Sequence, residues 1–182
     1  MSWYPATVAA PGTEPVTTAQ ARMQCRIHVS DTSFDTELAR LITAARAYAE
    51  NVCGVRFAQR TGVALKCDSF TDFDRLPEAP VTAVAVTYVD TEGATQTLST
   101  DVYELRADPF EASIVLKYGQ AWPSIQTGSR ITVTATVGGT PSESVVQAML
   151  LFIAGSFHQR ENAKVEDWST VDLLLFNDRR NA

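Results

Sequence analysis

The sequence predicts an α+β fold, with mainly helical N- and C-terminal parts packed on a central antiparallel β block. Three observations carry this prediction. Helical spacing of apolar residues runs through residues 16–54, two-residue alternation takes over between 61 and 137, and helical spacing returns from 140. Runs of each type without alternation argue for α+β and against a parallel α/β sheet. The 182 residues are 45% apolar and 20% charged, which suits one globular domain able to bury a core of its own.

Residues 1–15 contain Pro5, Pro11 and Pro15 and read as an extended arm, with Trp3 and Tyr4 as its anchors onto a partner. The first helix starts at Thr17, where Thr17 and Gln20 match a capping box, and runs to about Ile27. The second helix places Phe34, Leu38, Leu41, Ile42, Ala45, Ala49 and Val52 on one face. Asp31 or Ser33 is expected to cap its start, and Gly54 to stop it.

Strands are expected at Thr61–Cys67, Val81–Asp90, Ala94–Leu98, Val102–Arg106, Ser113–Tyr118 and Arg130–Val137. In the second of these, Val84, Val86 and Tyr88 alternate with Ala83, Ala85 and Thr87, and Asp90-Thr91-Glu92-Gly93 supplies a hairpin turn. The Val and Tyr face is expected to pack under the long helices. The threonine-rich face is left for a neighbour or for water.

Thr140-Pro141-Ser142-Glu143 signals a third helix, with Thr140 as cap and Pro141 at its first position. Val145–Phe157 is apolar on most sides and reads as the central core helix. Glu161–Asp167 is a polar linker. Ser169 to Arg180 then reads as a short helix with a capping-box start. Its Leu173, Leu174, Leu175 and Phe176 span all sides, so one flat surface cannot bury them all. With Trp168, Arg179 and Arg180 they form the expected docking segment, seated on another chain. The other reading is that the segment folds back onto its own domain. In the docking reading its removal is expected to leave the folded domain nearly unchanged in stability. The expected organisation is thus an arm at 1–15, a domain at 16–162, and a linker with docking helix at 163–182.

The chain shows little sign of chemistry. A net charge of −6 argues against a protein that grips phosphates. Gly138-Gly139-Thr140 lacks the Lys of a phosphate loop, and no G-x-S-x-G elbow occurs. Cys25-x-x-His28 is half a metal site without a second pair, and Asp68, Asp72 and Asp74 do not match a calcium loop. No catalytic residue, cofactor or metal is expected. Three cysteines without a C-x-x-C pair read as buried thiols of a cytosolic protein, and the opening MSWYPATVAAPGTEP does not read as a signal peptide.

Several stretches resemble, in their order, the head–tail connector or adaptor family of tailed phages and gene-transfer agents. They are Glu14-Pro15-Val16-Thr17, Leu38–Arg46, Leu76–Val81, Val86–Asp90 with its Gly turn, Tyr118-Gly119 before Trp122-Pro123, Ile131-Thr132-Val133, and Gln159-Arg160-Glu161. The resemblance covers about residues 14–162 and makes 16–162 the connector domain. It implies a virion structural protein made in the host bacterial cytoplasm and placed at the neck. Its copies would form a ring, twelvefold by resemblance, beneath the portal protein, with the docking segment seated on the next subunit or on the portal. The ring would extend the DNA channel without specific DNA binding and offer a tail stopper or tail terminator its attachment surface. It implies no catalysis, no cofactor and no membrane. For the contacts between subunits, the candidates are Arg40, Arg46 and Glu50 on the long helix against the acidic loop Asp68, Asp72 and Asp74. The other reading is a monomeric binding module, such as a minor tail or assembly-chaperone protein.

Overall fold

A computed structural model describes residues 3–6, 10–159 and 168–180, without the side chains of residues 168 and 169. The expected linker Glu161–Asp167 lies outside the described residues. The chain divides into two compact units: a strand unit of Met1–Pro11 with Gln59–Gly138, and a helical unit of Gly12–Ala58 with Gly139–Ala182.

The helical unit contains α1 (Thr18–Gln24), α2 (Asp35–Cys53), α3 (Glu143–His158) and α4 (Trp168–Leu175). Thr17 and Gln20 close the expected capping box on α1. The start of α2 departs from expectation. Phe34 occupies the cap position without a side-chain bond, because Asp31 spends its carboxylate on the Ser33 N–H and hydroxyl. Phe34 instead packs edge-on against Phe157, with centroids 5.4 Å apart. Gly54 ends α2 at φ 68°, a left-handed conformation that glycine adopts without steric cost. Along α2 the buried face holds Leu38, Leu41, Ile42, Ala45, Ala49 and, in place of the expected Val52, Cys53. In α3 the cap is Ser142 rather than Thr140, and Val145, Ala148, Met149 and Ile153 are buried.

In the strand unit, β1 (Arg60–Cys67), β2 (Val81–Val89), β3 (Thr95–Thr97) and β6 (Ile131–Val137) form an antiparallel sheet of order β1-β6-β2-β3. A hairpin of β4 (Tyr103–Ala107) and β5 (Ala112–Leu116) forms a second sheet. The registers align Leu65 with Val133 and Val133 with Val86, so one buried row crosses three strands. The neighbouring row, Lys66, Thr132 and Thr87, lies on the opposite face, as the period of two demands. Between Arg60 and Val63 the pairing slips by one residue, and Gly62 at φ 74° takes up the bulge.

The Val and Tyr face of β2 contributes to a core within the strand unit itself. Val81 and Val86 are buried in a cluster belonging to the strand unit, and Val84 and Tyr88 pack against it. Aromatic rings close this cluster. Phe70, on the 3-10 turn Phe70–Asp74, stacks on Trp122 at 4.8 Å, Phe73 meets Trp122 edge-on at 5.5 Å, and Phe70 meets Tyr88 at 6.3 Å. The loops thus carry the large side chains that the small residues of the sheet do not supply.

Candidate assembly surfaces

The long helix carries an ion network in place of the expected charged outer face. Arg46 and Glu50 are only 5% and 3% exposed, which removes them from any solvent-facing contact. Arg46 donates to Glu14 at 2.7 Å and to Glu50 at 3.1 Å, and Arg56 lies 3.6 Å from Glu50. The second Glu50 oxygen accepts the backbone N–H groups of Phe57 and Ala58 at 3.1 and 3.3 Å. A buried carboxylate needs such partners, because desolvation of an unpaired charge costs several kcal/mol. Glu50 therefore ties the end of α2 to the chain leaving it. Arg40 alone of the three stands in solvent, paired with Glu37 one turn away at 2.7 Å.

The acidic loop is not one patch. Asp72 is buried, Asp74 is exposed, and Asp68 accepts the Tyr4 hydroxyl at 2.8 Å. Trp3 and Tyr4 do anchor the arm, but onto its own strand unit. The Trp3 indole donates to the Arg75 carbonyl at 2.9 Å and stacks on Phe73, the Tyr4 N–H reaches the Lys66 carbonyl, and Arg130 lies 3.8 Å above the Tyr4 ring. The physical reason is that β1, at the sheet edge, offers a free carbonyl beside an aromatic cluster.

The C-terminal segment folds back onto the helical unit. Its helix ends at Leu175, and Phe176–Asp178 forms a 3-10 turn, so it does not run on to Arg180. Val171 and Leu175 are buried. Tyr48 donates to Asp172 at 2.8 Å, Ser142 to Asp178 at 3.0 Å, and the Arg180 N–H to the Cys53 carbonyl at 2.7 Å. Arg179 lies 3.8 Å from Asp172. Leu174 is half-buried, whereas Leu173 is 74% and Phe176 55% exposed. Trp168 begins α4, and its side chain lies outside the described residues. Sequence reasoning missed the exposed Met23 and Tyr118 and a groove of about 380 Å³ between the start of α1 and α2, lined by Val16, Thr17, Ala39, Ile42 and Thr43. Grooves formed between two helices leave no local signature in sequence.

Burial keeps the thiols and the Tyr48 hydroxyl protonated. Burial pushes the Cys53 thiol up to about 11 and the Cys67 thiol, in the strand unit, to about 12. Burial and the Asp172 carboxylate raise Tyr48 to about 12. His28 faces Ser30 at 2.7 Å, and among the described residues no three His, Cys, Asp or Glu side chains gather as a metal site. Because the folded state holds these protons more tightly than the unfolded chain, the stabilisation is complete below the ordinary thiol value of 9.0 and is lost as pH rises through about 11–12. Two results are expected. A thiol reagent at neutral pH leaves all three buried cysteines unmodified until denaturant unfolds the chain. Melting temperature falls steadily in titrations above pH 9.0.

No known family's model matches the chain, and no curated protein matches it. Three solved structures share its fold over almost its whole length. One is a chain in the neck of an empty GTA particle computed with C6 symmetry, at TM-score 0.79 and 22% identity, covering 100% of this chain and 97% of that one. A second comes from the virion of a native gene transfer agent (GTA) particle, at 0.73 and 22%, with the same coverage. A third comes from the neck of a native GTA particle computed with C12 symmetry, at 0.65 and 21%, covering 95% of each chain. The fold defined by the two units is therefore one found in particle necks. The sequence resemblance to head–tail connector proteins had likewise implied a neck protein.

Proposed function

We propose that this chain is a structural protein of a virion neck. In this reading its copies close into a ring beneath a portal protein. The ring extends the DNA channel and presents the surface to which a tail stopper or terminator attaches. The observation that carries the reading is the correspondence of fold with a neck chain, at TM-score 0.79 with 100% of this chain and 97% of that one covered. The C6 and C12 symmetry of the neighbouring necks supports a ring of identical copies.

Sedimentation of the purified protein with and without a portal assembly tests the reading. A ring or a portal-bound complex is expected, and a monomer under both conditions contradicts it. The channel role carries a further expectation. A net charge of −6 per copy provides few cations for phosphate neutralisation, so duplex DNA binds weakly at physiological salt. A sub-micromolar dissociation constant with a steep salt dependence contradicts a channel through which DNA slides.

A further inference from the structure

A closed ring of identical copies needs two different patches on each subunit, because head-to-tail contacts join unlike surfaces. The helical unit has such a pair. Arg46 and Tyr48 are two residues apart on α2, and therefore about 200° apart around its axis. Arg46 bonds Glu14, in the segment leading into α1, while Tyr48 bonds Asp172 of α4. The α1 entry and α4 thus sit on opposite flanks of α2. One flank carries a recess and the other a projection. The recess is the open groove floored by buried Val16 and Ile42, with exposed Ala39 at its rim and Glu14 and four threonines on its walls. The projection is Leu173 and Phe176, three residues apart and so on one side of their segment, opposite the buried Val171 and Leu175.

We propose that Leu173 and Phe176 of one copy seat in the groove beside Ala39 of the next copy, and that this contact repeats around the ring. The proposal rests on the neck-ring reading and adds the surfaces that close the ring. Exposed Leu and Phe side chains are costly to leave in water, at roughly 25 cal/mol per Å² of apolar surface. Val171 and Leu175 already fill the place that α4 has on its own unit, so the exposed pair has no room there. A groove of about 380 Å³ with an apolar floor, on the opposite flank of an identical copy, is of a size to receive them.

Cysteine cross-linking tests this, since the three native thiols are buried. Ala39→Cys and Leu173→Cys proteins are oxidised mildly, separately and mixed, in the presence of portal-bearing heads. A covalent dimer is expected in the mixture and absent from each variant alone. The chain carrying both substitutions is expected to give a ladder of multimers. Adding Phe176→Asp to that doubly substituted chain should abolish the ladder while the circular dichroism spectrum is unchanged. A ring that forms without the cross-link overturns the proposal and leaves the neck reading intact. Leu173→Cys joined to itself, or to the portal, also overturns it, since the contact is then isologous or made with another protein. A chain that stays monomeric and unattached overturns both the proposal and the neck reading.

Discussion

Replacing Glu50 by Ala is expected to destabilise the helical unit by about 3 kcal/mol or more, the cost of breaking a buried ion pair by removing one partner. The substitution strips Arg46 and Arg56 of a carboxylate and takes the acceptor from the Phe57 and Ala58 N–H groups. Glu14 remains bonded to Arg46, which sets an upper limit on the loss. Glu50→Gln should recover part of it, because an amide oxygen can still accept from the two backbone donors. Urea denaturation of the two variants measures this. Equal and near-wild-type midpoints would mean that the network contributes nothing net. By contrast Arg40→Glu, on the exposed Glu37–Arg40 pair, should shift stability by less than about 1 kcal/mol, as surface pairs do.

The second large effect concerns the C-terminal segment. Leu175 is fully buried, and Leu175→Ala should cost roughly 2–5 kcal/mol, the range for a large-to-small change in a packed core. Deleting residues 168–182 should do more, since it uncovers the Leu175 site, removes Val171 and leaves Tyr48 without Asp172. Loss of cooperative melting, or a midpoint lowered by many degrees, is the expected result. A truncated protein as stable as the full chain would show that the segment is an appendage, as its composition alone suggests. Leu173→Asp gives the matching control, because its exposed side chain can change with little effect on the fold.

What could be read in the sequence depended on whether the signal was local. The capping box of Thr17 and Gln20, the stop at Gly54 and the turn at Gly93 each reside within four residues, and the structure reproduces them. The alternation in β2 and β6 likewise produced both strands and their buried rows. Placement across the chain was less legible. Arg46 reads as a surface charge because its partners, Glu14 and Glu50, lie 32 and four residues away and only the fold brings both to it. The four consecutive apolar residues Leu173–Phe176 by themselves read as a docking segment. Its fold-back depends on Asp172 meeting Tyr48, 124 positions earlier. Trp3 and Tyr4 look like free anchors until the edge of β1 and the ring of Phe73 lie beside them. Burial of Arg46 and Glu50 belongs to this non-local class, whereas the exposed Leu173 and Phe176 were legible as apolar residues.

Electron microscopy of portal-bearing heads incubated with the purified chain tests the neck reading most directly. The expected image shows added density as a closed ring coaxial with the portal, with one subunit-sized lobe per copy around an open channel. Heads whose portal end is unchanged, with the chain left in solution as a monomer, would contradict it.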